Sequence, residues 1–138
     1  MVTLQESKRA RLGTLCALYF AQGVPWAFIT VAFVAVLVDA DSINDEQVAA
    51  LTLAGTLPWM FGKLVLGPLI DRVRFPAYGL RRPWIIIAQL GMIITMGIFL
   101  TIDDPLAAGN LEAGLPTIML FFLIHNVFAT LQDVSSDA

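Results

Sequence analysis

The chain has 138 residues, 58% of them hydrophobic and 14% charged, with a formal net charge of −3 and a mean hydropathy of +0.79. Soluble domains carry about 25% charged residues, so this composition excludes an ordinary soluble enzyme or binding module and places the chain in a membrane. Four apolar segments, at about 12–38, 46–70, 83–102 and 115–134, are each long enough to cross roughly 30 Å of hydrocarbon as a helix. None shows the ten-residue polar–apolar alternation of a barrel strand. The expected fold is an all-α membrane protein with four transmembrane helices.

The first span (12–38) follows Lys8, Arg9 and Arg11. It is too long for a signal-peptide core of about 7–15 residues, and no small-residue cleavage site follows. Gly23-Val24-Pro25 should bend or loosen it, as membrane helices tolerate where neighbours satisfy the freed carbonyls. Cys16, the single cysteine, excludes an intramolecular disulfide or a cysteine-based metal site and reads as lipid-facing or packing filler. Before the second span (46–70), Ser42 with Asp45 fits a capping box; within that span Pro58 is a second point of bending, and Lys63 is a lone cation. Pro83 opens the third span (83–102), and Pro116 suits the first turn of the fourth (115–134).

Charge placement sets the orientation. Seven of the eight basic residues lie before the first span or in the 71–82 loop, whereas seven of the eleven acidic residues lie in the other two connections. Lys and Arg are retained on the cytoplasmic side, which puts residues 1–11 and the 71–82 loop in the cytoplasm. The net acidity therefore describes an asymmetric membrane protein, in the plasma membrane or a bacterial inner membrane.

Polar residues inside the spans are the candidate functional groups. Asn126, Thr130, Asp133 and Asp137 share one helical face of the fourth span, with His125, Gln132 and Ser136 beside it. Thr52, Thr56, Trp59, Lys63 and Gly67 form a mixed stripe on the second span, and the first holds Tyr19 and Gln22, the latter near the depth of His125 and Asn126. The third span, with only Gln89 and Thr95, reads as peripheral and turned to lipid. A Lys at the centre of a membrane helix costs about 2.5–3.5 kcal/mol on insertion scales, which favours a functional or ion-paired Lys63 over a snorkelling one. His125 reads equally as a proton carrier or as an interhelical hydrogen-bond donor. Gln22 and Asn126 read as packing glue before substrate ligands. Asp133 is an interfacial residue or a functional one, the shared stripe favouring function. Trp26, Trp59 and Trp84 are aromatic anchors or groove walls.

Several of these patches carry a family resemblance. The 67–84 stretch, with Gly67, Asp71 and Arg72, then Arg81 and Arg82, resembles the loop between helices 2 and 3 of major facilitator superfamily transporters, although it is longer and has Leu80 where a third basic residue often stands. Tyr19-Phe20-Ala21-Gln22-Gly23-Val24-Pro25, Trp59 to Lys63 with Pro68, Arg81-Arg82-Pro83-Trp84 with Gln89, and Gln132-Asp133 with Asp137-Ala138 are together similar to the muropeptide-permease (AmpG-like) and acetyl-coenzyme A transporter branch. The resemblance implies a twelve-helix fold of which this chain is the first part, with 12–138 a partial N-terminal transporter domain and the remainder missing. It implies a secondary active transporter that moves a small, anionic solute by alternating access coupled to protons. Gln22, Lys63, His125, Asn126 and Asp133 are then candidates for the substrate or proton pathway, with Asp133 the resting partner of Lys63. Asp71, Arg72, Arg81, Arg82 and Asp137 are candidates for a cytoplasmic gate.

The expected partners are the lipid bilayer and a small-molecule substrate, without nucleic acid, metal or other cofactor. An enzyme is not expected, because one histidine and no clustered ligands or nucleophile leave little chemistry to run. Two alternatives stand beside the transporter: a scaffold or assembly factor on the same fold, which would not need Lys63, His125 or Asp133 in the bilayer, and a self-contained four-helix efflux protein, which would need an acidic residue in the first span.

Overall fold

The computed structural model describes residues 7–39, 43–73, 75, 79–101 and 111–137, except for the side chains at 111–113 and 137. Four helical spans long and apolar enough to cross a membrane account for nearly all of it: Lys8–Asp39, Asp45–Arg72, Arg82–Phe99 and Gly114–Ser136. The first is interrupted. An α-helix over Lys8–Ala27 passes into a π-helical stretch at Phe28–Phe33 and returns to α over Val34–Asp39. Pro25 lies just before the change. It has no N–H for the Ala21 carbonyl, and the α-helix carries past it to Ala27 before the turns widen.

The helix ends have local causes, some of them other than the sequence suggested. Ser7 caps the first span, its Oγ accepting from the Ala10 N–H at 3.2 Å. Helix therefore begins at Lys8, and the basic cluster rides on its first turn. The capping box of the second span is formed by Asn44 and Gln47: each backbone N–H donates to the other's side-chain oxygen, both at 2.9 Å. Ser42, the expected cap, lies outside the described residues. Asp45 and Glu46 in the first turn and Arg72 in the last complement the macrodipole of that helix. Pro83 stands at the second position of the third span, which starts one residue earlier than expected, and that helix ends at Phe99 rather than near 102. The fourth helix begins at Leu111, so Pro116 is inside it rather than in its first turn.

The fourth span is the axis of the bundle. In its most apolar window 44% of residues are buried, against 17–22% for the other three. Two apolar clusters bracket its middle. At one end Ile29, Leu37, Leu51, Leu115, Ile118 and Phe122 pack together, with Phe33 and Phe99 edge-on at 5.5 Å. At the other, nearer the arginines, Ile70, Ala88 and Leu131 meet beneath Trp84, itself edge-on to Phe75 at 5.8 Å. Close approach is secured by glycine: a Cβ at Gly62 would lie 2.8 Å from Thr130 Cγ2, and one at Gly91 would fall within the Phe128 ring. The buried polar residues of the fourth span form a layer that runs from His125, between the two clusters, to Gln132, Asp133 and Ser135, level with the second.

Candidate functional site

An ion pair lies towards the arginine end of that layer. Lys63 Nζ stands 2.6 Å from Asp133 Oδ2, and the two side chains differ sharply in exposure, 49% for the lysine and 6% for the aspartate. The second and fourth spans run parallel here: Trp59 Nε1 donates to Asn126 Oδ1 at 3.0 Å, one turn before the ion pair on the second span and two turns before it on the fourth, and Gly62 meets Thr130 between them. The ammonium also stands 6.0 Å from the centroid of the Trp59 ring, in reach of its π-face. Lys63 is nine residues before the helix end at Arg72, or about 13 Å along the axis.

The other carboxylate oxygen is held from the first span. Gln22 Nε2 donates to Asp133 Oδ1 at 3.4 Å, and Gln22 Oε1 accepts from Gln132 Nε2 at 3.3 Å. Gln132 also donates to the Leu18 carbonyl at 2.8 Å, while its Oε1 accepts from Gln89 Nε2 of the third span at 2.8 Å. Five side chains on four spans thus form one continuous chain. Its amides all run the same way, each N–H towards the next oxygen, and end on the carboxylate. Gln22 therefore lies at the level of Gln132 and Asp133, closer to the arginine end than the expected depth of His125 and Asn126.

The expected polar stripe of the fourth span divides between two neighbours. Asn126, Thr130 and Asp133 face the second span. His125, adjacent to Asn126 and so turned about 100° from it, faces the third, its Nδ1 2.9 Å from Thr95 Oγ1. It is buried, and its Nε2 meets no hydrogen-bonding partner among the described residues. The third span is consequently not clear of the polar layer. Gln89 and Thr95 both enter it, although Ile86, Leu90, Ile93, Ile94 and Ile98 turn outwards as expected of a lipid-facing side.

A cavity of about 370 Å³ opens between the first and second spans, lined by Tyr19, Gln22, Gly23, Trp26, Thr56 and Trp59. Its walls are largely aromatic, and Gln22 joins it to the ion pair. Small-molecule sites combine apolar walls with a few convergent polar groups in this way. Of the candidate gate residues, Asp71, Arg72 and Arg82 are exposed and Arg81 is half-buried. The parallel register places the end of the fourth span at their end of the bundle, but among the described residues no ion pair joins Asp71 to Arg72, Arg81 or Arg82. The Asp137 side chain lies outside the description. Among the described residues no group of His, Cys, Asp or Glu is arranged to hold a metal.

Gln132 and Gln89 stand in the sequence motifs but were not among the residues assigned to the pathway or the gate. A signal existed: Gln132 is adjacent to Asp133 and seven residues after His125, on the His125 face. What the sequence lacked was the direction of that face towards both the first and third spans.

These elements define a multi-pass helical membrane protein whose buried polar layer opens on a cavity, the architecture of a solute transporter. The family model described as acetyl-coenzyme A transporter 1 matches residues 12–138, and the chain belongs to that family of membrane transport proteins. Comparison with curated proteins gives no match, nor does comparison with solved structures.

Proposed function

We propose that the protein carries an anionic solute past the Lys63–Asp133 pair, with Lys63 as the anion-binding group and Asp133 as its resting partner and proton acceptor. The observation that carries this reading is the unequal exposure of the pair: a half-exposed lysine side chain whose Nζ stands 2.6 Å from a buried aspartate. An incoming carboxylate or phosphate can reach the cation without the aspartate first leaving its site. Lys is suited to the task as a compact charge with rotatable donors that binds an anion and releases it. Once the anion displaces it, Asp133 is a buried carboxylate that has lost its counter-ion, and uptake of a proton relieves that cost. The family description names acetyl-coenzyme A, a phosphate-bearing anion of the class that such a cation would hold, and the Trp26 and Trp59 faces offer stacking surface to a planar ring.

In this reading the N-terminus and the 71–82 loop are cytoplasmic. Lys8, Arg9 and Arg11 at a helix start oppose its macrodipole, so local helix energetics do not account for them, whereas retention beside the membrane does. Asp71 and the loop arginines would form a gate at that end as a network, since single exposed pairs contribute only about 0–1 kcal/mol.

The test is uptake of radiolabelled acetyl-coenzyme A into vesicles containing the full-length transporter. Lys63→Gln, which keeps a hydrogen-bond donor for Asp133, is expected to abolish uptake at unchanged membrane abundance. Wild-type uptake by that variant would reduce Lys63 to a snorkelling residue.

A further inference from the structure

We propose that Gln132 is the positioning residue of the ion pair: it clasps the first span at two points and so holds the Gln22 amide against Asp133. The Lys8–Ala27 part of the first span is otherwise thinly attached. Within Lys8–Ala27 the one buried residue is Gln22, and Leu15, Tyr19, Phe20, Val24 and Trp26 are exposed. Gln132 bonds this helix at the Leu18 carbonyl and at the Gln22 side chain, one turn apart, which fixes the helix in both rotation and height. A single contact would fix neither.

Gln132 is fully buried, so its polar atoms have no water to fall back on. The Leu18 carbonyl can only accept, so the Nε2 of Gln132 must face the first span and its Oε1 turns to Gln89, which fixes the direction of the amide. The polarity of the whole chain follows. With Gln132 donating, Gln22 must present its oxygen to Gln132 and its N–H to Asp133. Loss of the Gln132 donors frees Gln22 to turn, and Asp133 loses the contact that holds Oδ1 while Oδ2 faces Lys63.

The consequence can be read without transport, so its failure is distinct from failure of the proposed function. The chain has two lysines, Lys8 and Lys63, and an amine held in an ion pair acylates slowly. The full-length protein in membranes is treated briefly with acetic anhydride at neutral pH, and the Lys63-to-Lys8 acetylation ratio is read by mass spectrometry. Gln132→Met, similar in volume, should raise the ratio about fivefold, the effect of one net hydrogen bond. Gln22→Met should raise it by the same amount. The double variant should match either single one, because both break the same link. Gln89→Met, which leaves both donations to the first span in place, should stay within about twofold of wild type.

An unchanged ratio in Gln132→Met, or a double variant about 25-fold above wild type, would overturn the assignment, the latter because independent structural damage multiplies. Should Gln132→Met fail to reach the membrane, Gln132→Asn carries the same test: it keeps the amide but is one methylene too short to span both contacts. A ratio rising as in Gln22→Met supports the clasp, and a wild-type ratio refutes it.

Discussion

His125 and Asn126 are consecutive in the chain and bond to different spans: His125 Nδ1 lies 2.9 Å from Thr95 on the third, while Asn126 accepts from Trp59 on the second at 3.0 Å. Only Asn126 shares a face with Lys63 and Asp133. We propose that His125 serves as an interhelical hydrogen-bonding group rather than as a proton carrier. The proton pathway proposed through Asp133 does not pass along the face that His125 occupies.

His125→Asn in the full-length transporter is therefore expected to leave uptake within about twofold of wild type and to lower stability by about 1–2 kcal/mol, the cost of a buried polar contact disturbed. Thr95→Val should act in the same direction. Initial uptake rates beside thermal unfolding in detergent check this. Loss of uptake at unchanged stability would restore His125 to the transport path.

How far the sequence reaches is clear from these same residues. Lys63 and Asp133 could be matched in advance because each is a lone charge in an apolar helix and the two lie at similar depths; burial of a charge demands a partner, and few were on offer. The azimuth of each helix could not be matched. It is set by where Phe128 seats on Gly91 and Thr130 on Gly62, contacts between residues that carry no charge and no motif. That is why Gln89 and Thr95 were read as peripheral and Gln132, though named beside the stripe, was given no role in the pathway. The cap of the second span shows the same limit on a smaller scale: Ser42–Asp45 and Asn44–Gln47 both fit the capping pattern, and the structure uses the second, in which Gln47 returns a hydrogen bond to the Asn44 backbone.

Packing of the third span on the fourth should be intolerant at Gly91 and permissive at Gly97. A methyl group at Gly91 would enter the Phe128 ring, whereas one at Gly97 meets nothing within 4 Å. Gly91→Ala is expected to cost about 1–3 kcal/mol through overpacking, and Phe128→Leu should recover part of it. Gly97→Ala should be neutral or stabilising by up to about 1 kcal/mol, from helix propensity alone. Thermal unfolding of the three variants in detergent makes the comparison; equal losses at both glycines would contradict the packing.

The orientation is tested with single cysteines in a Cys16→Ala background, using an impermeant maleimide added from outside. Ala108→Cys should label in intact cells, and Tyr78→Cys should label only after permeabilisation. The reverse pattern would invert the bundle, and the basic residues at 8–11 would then need a cause other than retention in the cytoplasm.

The ion pair should break asymmetrically. Lys63→Met leaves Asp133 buried with one hydrogen bond from Gln22 and no counter-ion, and removing one partner from a buried charge is the costly direction. Asp133→Asn leaves a lysine that is half exposed and can swing its ammonium towards water, while the new amide oxygen still accepts from Gln22. Partial exposure screens the pair and reduces the effect below that of a fully buried one. The expected losses are about 2 kcal/mol for Lys63→Met and under about 1 kcal/mol for Asp133→Asn, with the double variant close to Asp133→Asn alone because no carboxylate remains to be stranded. Thermal unfolding of the three variants in detergent reads the cycle. A larger loss for Asp133→Asn than for Lys63→Met would mean that the lysine, not the aspartate, is the group that cannot stand alone, and the resting-partner role given to Asp133 would have to be reversed.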